Sequence, residues 1–433
     1  MNNITKIAEM MVELVQSQLD GGVTLTAIEQ TTRTLLQEVG RQTVEMTLKS
    51  MDSPYPEPSI ACHCGAEATY IRRRTACLHT LFGQLQAKRA YYLCPTCHQG
   101  TSPLDGQLGL RPNALSAELT RLAAMTGVQL PFEIGRDLLE TLTLVSVSDQ
   151  AMGKATRQVG ERVMEAEIAW AKNATDETFL LQRQRERRRP LRLYGAIDAT
   201  KVHIRDNAEH RWRDLKIGAW FEASGQPPTT PDGQWSIQAK NIHYYTDICS
   251  ATEFGNLVWN SGVAHDAQLA YELVMLGDGA DWIWNLVAAL FPHAIQILDW
   301  FHASEHLMPM AQVAFATEKE QTQWVTEMKQ LMWHGHIEEL IAACDTLTIR
   351  CSSDVIRTTA NYFETHKARM QYAHFRKQGY QIGSGTIESA AKQIGMMRMK
   401  VPGAIWNETN ARKVAKARAT YLSDQWQSLP LAV

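Results

Sequence analysis

Three carboxylates stand where a folded chain could bring them together. Asp198 closes the apolar run Leu193-Tyr-Gly-Ala-Ile-Asp198, and Asp278 closes a second, Val274-Met-Leu-Gly-Asp278. Each run reads as a strand ending in an acid. Groups at the carboxyl ends of neighbouring strands in an open α/β sheet converge on one crevice, so the two aspartates are expected to meet. Glu388 lies in Ile382-Gly-Ser-Gly-Thr-Ile-Glu388-Ser, where Gly383 and Gly385 loosen the backbone before a helix carrying the carboxylate on its first turns. Such a set suits two hard cations roughly 4 Å apart, which stabilise the attacking and leaving oxygens of a phosphodiester displacement. Mg²⁺ (or Mn²⁺) is the expected ion, because it takes carboxylate oxygens and leaves the rest of its shell to water or phosphate.

Neighbouring groups compete for these roles. Asp281 is expected to cap a helix starting at Trp282. Asp299 ends another strand, Ile295 to Leu298, and is the main rival for a metal role; with Asp281 and His302 it is expected to surround the cations rather than hold them. Taken singly, Asp198 reads as a solvated strand end, Asp278 as a helix cap and Glu388 as a first-turn acid favoured by the helix dipole. His302-Ala-Ser-Glu305-His306 also matches the H-x-x-E-H pattern of a zinc peptidase helix. So short a pattern arises readily by chance, and it leaves Asp198 and Glu388 without a role.

A second chemistry sits upstream. Cys62-His-Cys64 and Cys94-Pro-Thr-Cys97 are two close pairs separated by a strand-rich stretch, an arrangement suited to tetrahedral thiolate coordination of a structural Zn²⁺. The first pair is tighter than the usual C-x-x-C knuckle, so His63 or His98 could replace a thiolate. Cys77, Cys249, Cys344 and Cys351 lack nearby partners and read as small buried hydrophobes.

The elements that must position these groups follow from periodicity and turn signals. Residues 1–55 form an N-terminal helical region, with apolar positions at helical intervals from Ile7 to Val15 and again from Thr26 to Leu48. The Pro- and Ser-rich Met51 to Ile60 reads as a linker. Residues 56–112 form a zinc-binding β unit, and 113–175 a helical region in which Ser148 caps the second helix of a helix-turn-helix-like pair. A basic linker at 176–190 carries Arg183, Arg185, Arg187, Arg188 and Arg189. Strands at Leu191 to Ile197, Lys201 to Arg205 and Leu215 to Phe221 open a core at 191–302, with later strands Tyr271 to Leu276 and Ala294 to Leu298 flanking a helix at Trp282 to Leu290. Residues 303–380 read as a helical insertion, and 381–433 as the final helix of that core with a basic tail. The predicted fold class is a multidomain α+β and α/β protein.

At the acids the sequence resembles bacterial insertion-sequence transposases of the ISKra type, distant relatives of the Mutator-like group. The resemblance rests on Tyr194-Gly-Ala-Ile-Asp198-Ala-Thr-Lys201, Leu276-Gly-Asp278-Gly-Ala-Asp281-Trp282, Leu298-Asp299-Trp300-Phe301-His302 and Gly383-Ser-Gly-Thr-Ile-Glu388-Ser, in that order. It implies an RNase H-like mixed-sheet catalytic domain with a helical insertion, in which Asp198, Asp278 and Glu388 are the catalytic acids. It also implies double-stranded DNA as partner, both transposon ends and target, and a homodimer or larger assembly because two ends must be joined.

Charge and composition fit a DNA partner only locally. The net charge of −3 gives no overall attraction to nucleic acid. Arg72, Arg73, Lys88 and Arg89, with Arg74, Tyr91 and Tyr92, form a candidate basic surface with interleaved aromatics. Lys154, Arg157 and Arg162 lie on the second helix of the helix-turn-helix-like pair. Arg398, Lys400, Arg412, Lys413, Lys416 and Arg418 follow Glu388 and are expected to hold the DNA backbone. A 45% hydrophobic, 21% charged composition excludes a disordered or fibrous chain. No apolar run reaches the roughly 18 to 20 residues of a bilayer span, so no membrane role is expected. The start lacks a secretory pattern, which makes the cytoplasm the expected location.

Overall fold

The computed structural model describes residues 3–19, 23–52, 56–187, 189–205, 211–226 and 236–428. The protein is mixed α and β and divides into two compact units, one up to Val159 and one from Gly160 to Ser428. That division falls inside a single helix within the predicted 113–175 segment. The predicted boundary near residue 55 lies outside the described residues.

The first unit opens with α1 (Asn3–Gln18) and α2 (Leu25–Met51), the latter capped by Thr24, whose hydroxyl accepts from Ala27 N. An antiparallel sheet follows in the order β1 (Ser59–Ala61), β2 (Glu67–Thr80), β3 (Gly83–Leu93) and β4 (Gly100–Thr101). Along β3 the alternation buries Leu85 and Ala87 and exposes Gln84, Gln86 and Lys88, the period of two a half-covered strand requires. The buried side of β2 and β3 packs with Val44 and Leu48 of α2. After α3 (Pro103–Leu108) come α4 (Ala117–Gln129), α5 (Phe132–Thr143) and α6 (Asp149–Ala174). Ser116 and Ser148 cap α4 and α6 through their hydroxyls. Gly127 lets α4 lie close to α6, since a Cβ there would meet Thr156 Oγ1 at 2.3 Å.

The second unit begins with the end of α6 and then α7 (Glu177–Glu186), capped by Asp176. The predicted basic linker is therefore largely helix. Its Arg183 and Arg187 are taken up by Asp266 at 2.8 and 3.1 Å, and Arg188 lies outside the described residues. The central sheet contains β5 (Arg192–His203), β6 (Trp212–Gln226), β7 (Ser236–Asp247), β8 (Glu272–Gly277) and β9 (Ile295–Leu298), in the order β7-β6-β5-β8-β9. β6 runs antiparallel to both β5 and β7, whereas β8 runs parallel to β5 and β9 parallel to β8. The two strands predicted at Leu191 to Ile197 and Lys201 to Arg205 are one, because β6 supplies ladder partners from Tyr194↔Phe221 to His203↔Trp212 without a break.

Two helices cover the sheet between strands: α8 (Ala251–Ala264), closed by a Ser250/Glu253 capping box, and α9 (Asp281–Leu290). Asp281 is the first residue of α9, and the cap position is Ala280, so the predicted cap role of Asp281 does not hold. Then come α10 (Trp300–Glu305), α11 (Leu307–Ala314), α12 (Glu318–His334), α13 (Ile337–Arg350), α14 (Asp354–His366) and α15 (Tyr372–Lys377), with no strand among them. The chain returns through α16 (Gly385–Ala390) into a π-helical segment, Ala391–Met399, and ends with α17 (Glu408–Leu422). Among the described residues no helix is long and apolar enough to cross a membrane.

Candidate functional site

The parallel strands place their acids by register. Ile197 pairs with Gly277, and Gly277 with Leu298. Asp198, Asp278 and Asp299 each follow the last paired residue, so they stand in a row across three adjacent strands spaced about 4.8 Å apart. Asp198 is not at a strand end as predicted, since β5 continues along β6; it marks the point where β5 and β8 part. Asp198 Oδ1 accepts from Ala199 N at 2.6 Å, and Asp278 Oδ1 accepts from Ala280 N at 2.8 Å.

Glu388 reaches the same neighbourhood from the C-terminal segment. The helix after it lies against β5 because Gly395 has no side chain: a Cβ there would meet Thr200 Cγ2 at 2.5 Å. Thr200 and Asp198 are two residues apart on β5 and so face the same side. The loop entering α16 is tied to the end of β9 by Asp299, which is fully buried. Asp299 Oδ1 accepts from His302 N at 2.6 Å, its Oδ2 accepts from Ser384 N, and Trp300 N donates to Ile382 O at 3.0 Å. Both Asp299 oxygens are thus spent on backbone. Among the described residues the Glu388 carboxylate makes long contacts, 3.4 Å from Ser384 Oγ and 3.8 Å from Lys392 Nζ.

The charges register this crowding. Burial pushes the Asp198 carboxyl up to about 6; the Ala199 N–H opposes it, the Asp278 and Glu388 charges add to it, and His302 opposes it. Asp198, Asp278, Glu388 and His302 therefore share one electrostatic neighbourhood. A carboxylate whose proton affinity is raised by two neighbouring acids fits the oxygen preference of a hard divalent cation. They are not drawn as tightly as the cysteines: among the described residues, the four thiols are the one set of three or more metal-ligating side chains whose ligand atoms all lie within 4.8 Å.

Tyr362 and His366, which sequence reasoning passed over, line the Asp278 side together with His306. The Tyr362 ring of α14 occupies the space above Gly279, where a Cβ would come within 2.0 Å of it. His306 lies 4.2 Å and His366 4.8 Å from that ring, centroid to centroid. Burial lowers both imidazoles below their ordinary value, helped by His302 for His306 and by Arg369 for His366. Burial also raises the Tyr362 phenol, with Asp278 and Asp299 adding to it. The available signal was Tyr362 and His366 one helical turn apart, together with a glycine directly after an acid. In the H-x-x-E-H segment, Glu305 is exposed and His302 Nδ1 stands 4.0 Å from it, while His306 turns to Tyr362.

In the first unit the turn between β1 and β2 carries Cys62 and Cys64, and the turn between β3 and β4 carries Cys94 and Cys97. Gly65 at φ +84° and His98 at φ +57° allow the two tight turns. Cys62 and Cys97 sulfurs lie 3.6 Å apart, as do those of Cys64 and Cys94. Four thiolates at about 2.3 Å from one ion would stand roughly 3.8 Å from each other, so the set is compatible with structural zinc. The backbone N–H of Cys97 holds the Cys94 thiol down to about 6 against its burial. His63 is exposed beside Cys62, 3.5 Å from its sulfur, and is not needed to complete the set.

The basic candidates separate into exposed and committed groups. Arg72, Lys88, Lys154 and Lys400 are exposed, and Arg157 and Arg162 are half-buried. Arg73 pairs with Asp52, and Arg89 is buried against Asp105 with a further bond to Arg74 O, so neither presents an open cation. Tyr92 is buried with its hydroxyl on Glu57 O, which leaves Tyr91, under the Arg74 guanidinium at 4.5 Å, as the surface aromatic. The predicted basic tail is largely interior. Arg398 is buried over Trp406, and desolvation lowers it to about 10. Arg412 grips Asp247, Lys413 pairs with Glu161, Lys416 sits between Glu167 and Asp247, and Arg418 is buried with its Nε on Gln393 O.

No protein-family model matches the chain, and no curated protein is similar enough to count as a match.

Proposed function

We propose that the protein is a DDE-type DNA transposase that cuts DNA at the ends of a mobile element and joins those ends to target DNA. The observation that carries this reading is the register of Asp198 and Asp278 on adjacent parallel strands, with Glu388 brought to the same side by the seat of Gly395 on Thr200. A sheet of three antiparallel strands followed by two parallel ones agrees with the RNase H-like core that the motif resemblance implies. α10 to α15 then correspond to the helical insertion between the second and third acids.

In this reading Asp198, Asp278 and Glu388 hold two Mg²⁺ or Mn²⁺ ions, which when bound would stabilise both oxygens exchanged at phosphorus. The chain's own residues set the stage. The β5–β8 ladder fixes the spacing of the two aspartates, Asp299 ties down the loop that presents Glu388, and His302, half-exposed and within electrostatic reach of Asp198, would meet a phosphate oxygen. Tyr362 and α14 close the Asp278 side against water. The four-cysteine site holds zinc that orders the β unit without touching the reaction, because a full thiolate set leaves no open position. Arg72, Lys88, Lys154, Arg157, Arg162 and Lys400 remain as contacts to the DNA backbone.

The test is cleavage and joining of labelled duplexes from the DNA flanking the coding sequence, with Mg²⁺ or Mn²⁺, by wild type beside Asp198→Asn, Asp278→Asn and Glu388→Gln. The expected result is that all three variants still bind DNA and lose both reactions. A wild type that binds but cuts under neither ion removes the catalytic reading, and one that cuts without joining is a nuclease.

A further inference from the structure

The turn that carries Asp278 joins Gly277, the last residue of β8, to Asp281, the first of α9. Asp278 Oδ1 is spent on Ala280 N inside that turn, so the direction of the whole carboxylate follows the backbone of 278–280. Every carbonyl of the turn accepts a hydrogen bond. Asp278 O accepts from Trp284 Nε1 at 2.8 Å and Ala280 O from Ile283 N at 3.0 Å, both within the strand–turn–helix itself. The middle one, on Gly279, is bonded by the ring of His366, which closes α14 far along the chain. Gly279 lets α14 come so near, since a Cβ there would lie 2.0 Å from Tyr362, one helical turn before His366.

His366 is 3% exposed and is itself held from behind. Its Nδ1 stands 3.0 Å from Arg369 Nη1, and because a guanidinium has donors alone, Nδ1 accepts and the ring proton is left on Nε2 for the Gly279 carbonyl. Arg369 is fixed in turn. Its Nε donates to Gln296 Oε1 of β9 at 2.8 Å, and its guanidinium lies 4.6 Å from the centre of the Trp284 ring. The contacts therefore form a closed circuit, from β9 through Arg369 and His366 to the Asp278 turn, and back through the same indole that holds Asp278 O.

We propose, on the reading of Asp278 as a cation ligand, that His366 is its positioning residue: from the helical stretch between the second and third acids it locks the turn that aims the carboxylate. Groups behind a ligand that fix its orientation commonly govern metal affinity by about 10–100-fold. A histidine that merely filled space would need neither a donor toward Gly279 nor an acceptor for Arg369, and an aromatic ring of its size would replace it. The helices between the acids then do more than separate them: one of them supplies a part of the cation site.

The experiment has two readouts on the full chain. Hydrogen exchange by mass spectrometry, without metal, follows the peptide from Gly277 to Trp284, and electron paramagnetic resonance of the free ion follows Mn²⁺ uptake without DNA. His366→Phe keeps a ring and deletes both nitrogens. It should speed exchange of that peptide about tenfold, the effect of about one hydrogen bond, and weaken Mn²⁺ binding about tenfold. His366→Gln, whose Nε2 falls near that of the imidazole, should restore most of both. Arg369→Met keeps the ring but releases its tautomer, and should shift both readouts in the same direction by less, which covers the case of a His366→Phe chain that does not fold. Lys416→Met, which breaks a buried ion pair elsewhere, should leave both at wild-type values. Readouts unchanged in His366→Phe, faster exchange spread evenly over β5 and β8, or a His366→Gln variant no better than His366→Phe would each overturn the proposal. Because exchange is read without metal, a failure of the cation reading, in which Mn²⁺ uptake survives Asp278→Asn, is told apart from a failure of His366 to hold the turn.

Discussion

Lys416 separates two views of the C-terminal helix. If α17 presented a basic surface to DNA, Lys416→Met would weaken DNA binding and leave the fold untouched. Instead the side chain is 1% exposed, and its ammonium lies 2.7 Å from Glu167 Oε2, 3.1 Å from Asp247 Oδ2 and 2.9 Å from Thr246 O. All of its donors are directed inward. Asp247 is buried, which works against its carboxylate, but the Arg412 hydrogen bond and the Lys416 charge outweigh that and hold it below the usual range. Burial raises Glu167 despite Lys416, so this carboxylate depends on the ammonium for what charge it keeps. Methionine preserves the stem and deletes the charge, leaving two carboxylates and a carbonyl without their shared donor. Removing one partner of a buried pair costs about 3–5 kcal/mol, and Arg412 still compensates Asp247, so the lower end, about 3 kcal/mol, is expected. That is a large part of the roughly 5–15 kcal/mol that holds a domain folded. Urea unfolding followed by circular dichroism reads it directly. Lys416→Met/Glu167→Leu should recover about 1 kcal/mol or more, because the orphaned acid leaves with its partner. A loss below about 1 kcal/mol for Lys416→Met, together with a clear drop in DNA affinity, would refute the buried-network account.

Two further outcomes follow from the geometry. Cys94→Ser should lose stoichiometric zinc, measured by plasma mass spectrometry, whereas His63→Ala and His98→Ala should retain it, because four sulfurs already stand within 4.8 Å of one another. His243, stacked on His265 at 4.2 Å, is lowered by burial from 6.5 to about 3. The unfolded chain therefore binds the extra proton first, and the stability present above pH 6.5 is lost as the pH falls toward 3. His243→Phe should flatten that limb by up to about 1.4 kcal/mol per pH unit in urea midpoints, and an unchanged limb would show that His243 is already protonated in the fold.

What the sequence disclosed was what neighbouring residues decide. The strands before Asp278 and Asp299 are short apolar runs bounded by turn residues, and the paired cysteines advertise their turns, so both could be read locally. β7 escaped because Ser236–Asp247 is an edge strand of polar and aromatic residues, with no apolar run to mark it. The cations failed for a different reason. Arg89, Arg398, Arg412 and Lys416 look like any surface base in one dimension, and the acids that claim Arg412 and Lys416, Asp247 and Glu167, lie 165 and 249 residues away along the chain. Charge placement is a tertiary property. Periodicity does not report it.

Asp299 shows the same limit inside the candidate site. By sequence it is the equal of Asp278: a carboxylate directly after an apolar strand. By register it is also the equal, one strand further along the same row. What distinguishes the two is the loop at Ile382 to Ser384, which arrives from the far side of six helices and gives Asp299 a backbone N–H to accept. With each oxygen already accepting a backbone N–H and no exposure to solvent, Asp299 has its remaining lone pairs buried, and turning an oxygen to a ligand would leave a buried donor without a partner at about 1–3 kcal/mol. Asp278 has one oxygen on its own loop and, among the described residues, no such tie to the other. The row of three aspartates thus yields two held by their own loops and one that anchors the segment bearing Glu388, which is why, in the proposed site, the third acid comes from a helix rather than from the next strand.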